Sequence, residues 1–410
     1  MTGRTNPLAI IVVSLMLLAV SGRCFAGNLS GAVVVDTLKK ADSPFIVTGN
    51  ISVPSWHTLT IEPGVVLKFN LGLNFTIDGV LKAVGTQSDS IRFTSNEATP
   101  NLGDWNGVLF SSTGGGTLKY VAVEFAGSGV LVAGSAPSVQ NSTFRMNSNG
   151  IDCMNSATPL LESNLFHDNS NTAIRCTDSS PSVRKNVIRN NVAVSSAILC
   201  QASSPLIAEN VFRQNGSAAI DCLAGAAPQV WQNTIVQNDF GITIGDSSSP
   251  SIENNVISNN SNFGVAINDA AAAPVIKYND VWANGTGDYF GTPPEVGALS
   301  TTNSNGDSSD VFMNISLDPK FADLAHGNVQ LQVTSPCVDA GDPSNPAGVL
   351  KWGNAPDQGA FEFDGALPVE LVSFTFADGL LKWTTASETD NFGFEVERSG
   401  APEGDFMKVG

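Results

Sequence analysis

Four residues that could do chemistry fall at one fixed offset. Eight positions after Pro137, Pro159, Pro181 and Pro205 stand Arg145, His167, Arg189 and Arg213. The same count from Pro228, Pro250 and Pro274 reaches Val236, Ser258 and Trp282. Four basic or potentially basic groups at one period, in a chain of net charge −18, form a local positive ridge. Such groups repel one another unless neighbouring acids or a bound polyanion offset the charge. Guanidinium forks match carboxylates bidentately, so an acidic polysaccharide could meet an Arg at successive repeats. In a binding face, exposed aromatics such as Trp231 or Trp282 would flank the ridge. The competing account is a solvated strand face neutralised by Asp168 and its neighbours.

What positions these residues is a repeat. The seven prolines are separated by 22, 22, 24, 23, 22 and 24 residues. Two places after each lies a branched aliphatic: Val139, Leu161, Val183, Ile207, Val230, Ile252 and Ile276. Seven places after come Phe144, Phe166, Ile188, Phe212, Ile235, Ile257 and Val281. Ten places after, the residue is always Asn: Asn147, Asn169, Asn191, Asn215, Asn238, Asn260 and Asn284. A second column, five places after Pro, holds Ser142, Asn164, Asn186, Asn210, Asn233, Asn255 and Asn279. The apolar pieces are short and alternate, which predicts strands. One coil cannot bury its apolar face alone, whereas coils stacked at about 4.8 Å share a core and parallel ladders. The Asn columns are expected to take the left-handed turn conformation and to hydrogen-bond amide to amide between coils.

Stacking decides how the other columns read. Cys153, Cys176, Cys200 and Cys222 share an inward column with Val132, Ile244 and Ile267. Parallel strands point neighbouring Cβ atoms the same way, which opposes the disulfide torsion, so free core thiols are expected. Asp152, Arg175, Leu199, Asp221, Thr243 and Ala266 form an outward column, in which Asp152 and Arg175 should pair as an exposed couple of small worth. Asp152 and Asp221 would lie about 14 Å apart, too far for a carboxylate pair or a shared calcium. Asp307, Asp310, Asp339, Asp342 and Asp357 are expected at turns, and His57, His167 and His326 are too scattered for a triad or zinc set. No cofactor is expected; calcium has no supporting cluster.

The chain holds 410 residues, of which 14% are charged and 39 are Gly. This acidity argues against a nucleic-acid partner. Residues 1–26 read as a cleaved secretory leader: Arg4, an apolar run from Leu8 to Val20, then Cys24-Phe25-Ala26. That run is too short to span a bilayer.

The Pro, aliphatic and Asn columns over 137–291 resemble the right-handed parallel β-helix (pectin-lyase-like) superfamily, which implies an all-β solenoid with three short strands per coil. Residues 27–136 carry the similar phrases Leu59-Thr60-Ile61-Glu62-Pro63-Gly64 and Gly79-Val80-Leu81-Lys82-Ala83-Val84-Gly85. They are read as cap and entry coils, the cap lying within 28–50. Residues 292–366 are read as C-terminal coils and cap, and resemble the closing segment that covers the C-terminal coil in such proteins. From 367 to 410, Leu367-Pro368-Val369-Glu370-Leu371, Trp383-Thr384-Thr385-Ala386-Ser387-Glu388-Thr389 and Phe394-Glu395-Val396-Glu397-Arg398-Ser399 are similar to a fibronectin-III-like module of type IX secretion cargo. At this length the module is incomplete, so the sequence reads as a fragment.

The superfamily houses lyases, hydrolases, epimerases, adhesins and scaffolds. Two functions stand at this point. One is a non-catalytic, monomeric, secreted or cell-surface scaffold that binds glycans or surfaces through Arg145, His167, Arg189, Arg213, Trp231 and Trp282. The other is a lyase or glycoside hydrolase of acidic polysaccharide, which would bring acids and a base together in a groove.

Overall fold

The computed structural model describes residues 27–191, 195–344, 353–363, 371–377, 380–385, 397–398 and 407–408. The backbone winds as a right-handed parallel β-helix. One file of strands runs from Thr37–Leu38 through Ser138–Gln140 and Leu160–Glu162 to Val275–Lys277, forming an 11-stranded parallel sheet. A second file carries Thr143–Arg145, Leu165–His167, Val187–Arg189 and Val211–Arg213, and a third carries Asn149–Met154, Thr172–Thr177 and Ala218–Leu223. The long strand Phe45–Val53 takes part in both and joins them into one 22-stranded sheet.

Each proline opens the first file. It has no N–H to donate, but its carbonyl accepts from the next coil, as in Ser182 N–H to Pro159 O at 2.9 Å. The inward residues of all three files form one continuous apolar core, in which Phe144 stacks on Phe166 with centroids 5.0 Å apart. Cys153, Cys176, Cys200 and Cys222 pair in register along this core, and all four are free and buried. Burial and the neighbouring Cys176 raise the Cys153 thiol well above its ordinary range.

Both Asn columns are continuous rows. In the row from Asn147 to Asn284, each Nδ2 donates to the next Oδ1 at 2.8–3.2 Å, and the same Oδ1 accepts the preceding backbone N–H. The row from Asn164 to Asn279 repeats this geometry and begins with Ser142 N–H on Asn164 Oδ1. The expectation that these Asn take the left-handed conformation is corrected. Positive φ belongs to the residue before each: Ser163, Lys185, Glu209, Gln232, Asn254 and Tyr278 at one corner, Met146, Asp168, Asn190, Gln214, Gln237, Asn259 and Ala283 at the other. The left-handed residue turns the chain, and the following Asn then points under the next coil. A residue with a Cβ loses roughly 1–2 kcal/mol in that conformation, which the inter-coil bonds must offset.

The regular stack also runs further than the repeat suggested. After the excursion, Asn314 adds a rung 35 residues beyond Asn279, with Nδ2 to Oδ1 at 3.0 Å, and Ile315 bridges to Asp280. The closing segment differs from its expected place as well. Instead of only covering the last coil, it folds back along the outer wall. Phe321–Asp323 pairs with Asn328–Leu331, and Val329 packs on Val211 and Val236. Beyond it, Leu371–Ala377 pairs with Leu380–Thr385, while Phe392, Phe394 and Val396 of the fibronectin-like phrase and the leader at 1–26 lie outside the described residues.

Candidate functional site

The second file places Glu124, Arg145, His167, Arg189 and Arg213 directly above one another in register. Strand alternation points all five outward. The inward neighbours Phe144, Phe166, Ile188 and Phe212 hold the strands down in the core.

The ridge is not uniform. At its N-terminal end Glu124 is only 1% exposed and accepts from Arg92 Nε at 2.7 Å, Arg145 Nε at 2.7 Å and Thr94 Oγ1 at 3.1 Å. Arg145 is therefore spoken for. Sequence reading missed Glu124 because no proline stands eight places before it; Gly116 does. One coil on, His167 Nδ1 lies 2.6 Å from Asp168 Oδ2, and the imidazole is more buried than its carboxylate partner. Next comes Arg189, half-buried, whose guanidinium makes no hydrogen bond or ion pair among the described residues. The Arg213 guanidinium lies against Gly327, where a Cβ would meet Nη1 at 2.0 Å. Beyond it Val236 and Ser258 are fully buried. The open part of the file is thus His167, Asp168 and Arg189, bounded by Arg145 and Arg213.

The aromatic flank fails on geometry. Trp231 is on the first file, next to Ala208 and Glu253, with its indole N–H buried and without a partner. Trp282 shares the ridge file, but buried Val236 and Ser258 separate it from Arg213. The two tryptophans therefore do not border the ridge. The third-file pair departs from the exposed couple expected of it. Asp152 is only 2% exposed, accepts from Arg175 Nε and Nη2 at 3.0 and 2.9 Å, and also receives Ser128 and Asn149. A bidentate pair on a buried carboxylate is worth more than a surface one, because losing either partner strands a desolvated charge.

The remaining acids have structural duties. Asp310 is more than a turn residue: its carboxylate ends an Asn row, accepting from Asn314 N and Nδ2, Phe312 N and Gly297 N at 2.8–2.9 Å. Asp288 ends the other row, taking Asn284 Nδ2 at 2.9 Å. Asp339 holds the turn at Asn354, and Asp342 binds Lys277 Nζ at 2.8 Å. Asp280 is buried against the closing segment, accepting Leu317 N–H at 3.0 Å and the Cys337 thiol at 3.2 Å. Burial pushes its carboxyl up to about 8. Among the described residues no group of three or more His, Cys, Asp or Glu is disposed to hold a metal ion.

Two family models match parts of the chain: "Right handed beta helix region" over residues 82–240, and "Periplasmic copper-binding protein (NosD)" over residues 182–314. A 64-residue stretch, 16% of the chain, is 39% identical to Protein bark beetle of Drosophila melanogaster, and it spans 2% of that protein's length. Among solved structures the chain is similar to the periplasmic alginate epimerase AlgG, with 15% identity, 67% of this chain and 77% of that chain covered, and a TM-score of 0.45. It is also similar to pectate lyase Pel9A, with 15% identity, 73% and 88% covered, and a TM-score of 0.39. No residue role is carried over from these proteins. Copper does not fit the 182–314 stretch. That stretch contains no His, and its Cys200 and Cys222 are core side chains. The Cys200 thiol is raised by hydrogen bonds with Cys176 and Cys222 and by burial, whereas copper takes thiolate, thioether or neutral imidazole, and the stretch holds a single Met, Met313.

Proposed function

We propose that the chain acts on an acidic polysaccharide laid along the second file, with His167 as the proton acceptor. The observation that carries this reading is the His167–Asp168 contact next to the uncommitted Arg189 in one register. With Asp168 ionised, Nδ1–H donates to it and Nε2 keeps its lone pair. In a uronate the carbon bearing the ring-oxygen and carboxylate substituents has an acidic C–H. Arg189 would neutralise that carboxylate, His167 would take the proton, and Asp168 would stabilise the imidazolium. If the C4–O bond then breaks, the C5 electron pair forms the C4–C5 double bond and the departing oxygen takes the proton from the imidazolium, which is lyase cleavage; if solvent protonates C5 from the opposite face instead, the result is epimerisation, and the imidazolium gives its proton to solvent. The order of the two readings drawn from the sequence is thereby reversed, since the dyad favours chemistry and the tryptophans do not supply a binding platform.

Incubation with a panel of uronate polymers tests this. Expected are unsaturated ends, or deuterium entering the sugar from heavy water, abolished in His167→Gln. Retention of polymer should fall at least tenfold in Arg189→Ala. Retention without any chemistry would return the chain to the scaffold reading, and neither retention nor chemistry would end both. We also place the protein outside the cytoplasm, with 1–26 as leader and 367–410 resembling an export-linked fibronectin-III-like module. Among the described residues no helix is long and apolar enough to cross a membrane.

A further inference from the structure

Where the closing segment returns across the wall it encloses a cavity of about 360 Å³, at the lower end of the range for small-ligand sites. Its floor is Val187 and Val211, on the strands that carry Arg189 and Arg213, and its outer wall is Gly359 to Glu362. That wall is pinned. Gly359 N–H bonds Asn254 O at 2.8 Å, and Ala360 N–H bonds Thr234 Oγ1 at 3.0 Å. Only glycine fits at 359, where φ is +104° and a Cβ would meet Thr234 Oγ1 at 3.0 Å.

Among the lining residues, Gln232 is only 2% exposed; its Nε2 donates to Glu362 Oε1 at 3.1 Å, while its Oε1 has no partner among the described residues. That oxygen is closed off behind the lining, and the charged groups that line the cavity are Lys185, Glu209 and Glu362. Phe361 offers a partly exposed aromatic face at the same cavity. The charges balance nearby: Lys185 and Arg184 stand against Glu209 and Glu362, and Arg184 Nη2 meets Glu209 at 2.8 Å.

We propose that this cavity is a second carbohydrate site, taking one neutral sugar ring whose hydroxyls bond the Lys185 and Glu362 head groups of the lining and whose C–H face lies on Phe361. An apolar floor, an aromatic wall and charged hydrogen-bonding groups of both signs suit a hydroxylated ring. The balanced charge argues against a uronate here. The site is independent of proton abstraction at His167, though its ligand class follows from the reading given above.

Saturation-transfer NMR on the whole chain with methyl glycosides of neutral hexoses and of hexuronic acids separates the possibilities. At least one neutral methyl hexoside should show transfer, weakened tenfold or more in Phe361→Ala and in Ala360→Phe, and kept in Arg189→Ala. Thermal melts identify any variant that has lost its fold; Lys185→Ala, at an exposed corner, then serves as the milder second variant and should weaken transfer at least threefold. Absence of transfer from every neutral hexoside, or equal transfer in the cavity variants, would overturn the cavity site. Transfer lost in Arg189→Ala but kept in Ala360→Phe would place the sugar on the ridge and overturn it equally. Polymer retention and turnover, measured separately, judge the ridge alone.

Discussion

Glu124 shows what one buried carboxylate does for a surface file. It draws in Arg92 and Arg145 from two sides, which fixes the upper boundary of the open ridge and leaves Arg189 as the first uncommitted cation. Glu124→Gln removes the charge but keeps the shape, and the two guanidiniums lose their shared acceptor. The unfolding free energy is expected to fall by about 1–3 kcal/mol, read from urea midpoints. Binding of polyuronate should rise as Arg145 is freed, and should weaken with added salt. Arg145, His167, Arg189 and Arg213 were legible as a file because a proline-counted offset is preserved by stacking. Their inequality was not legible. It depends on Glu124, Asp168 and Gly327, and two of these three partners lie outside the counted repeat.

The Asn rows matter at the level of the coil. Every amide passes one Nδ2 hydrogen bond to the next Oδ1 toward the C-terminal end and gives a second to a carbonyl of the preceding coil, so the forward-pointing donor of the last rung must find an acceptor. Asp288 and Asp310 supply it, as capping side chains do for the free N–H groups of a helix start. Asp310→Ala should loosen the C-terminal coil first. Hydrogen exchange is expected to speed up at residues 279–315 well before residues 186–210, and uniform acceleration would refute this. Removing a middle rung, as in Asn215→Ala, strands partners above and below and should cost at least about 1–3 kcal/mol by chemical denaturation. The thiol file makes a further prediction about the same coils. The five cysteines among the described residues, all free and buried, should resist a polar thiol reagent in the folded protein and react together once urea unfolds it. The left-handed corner residues were not legible, since Lys185, Glu209 and Tyr278 carry no preference for positive φ. Asn314 was hidden for a different reason: the excursion places it outside any 22-to-24-residue count.

At the scale of the molecule, the closing segment is docked on buried carboxyls. Burial raises Asp280 to about 8, and burial with the nearby Asp339 raises Asp357 to about 6. Each binds its proton more tightly folded than unfolded, so this stabilisation is complete below the ordinary carboxyl range and is lost as pH rises, first through about 6 and then through about 8. Urea midpoints should therefore decline across that window. Asp280→Asn, which mimics the protonated acid, should flatten the upper part of the decline, and an unchanged slope would refute the assignment. Amino-acid order alone was enough for the solenoid and for the rows of Asn and Cys, because each coil contacts only its neighbours and a period therefore becomes a stack. Which cations stay open and where a cavity forms were decided by the fold. These depend on contacts such as Gln232 with Glu362 or Arg213 with Gly327, between segments more than a hundred residues apart that no local pattern links.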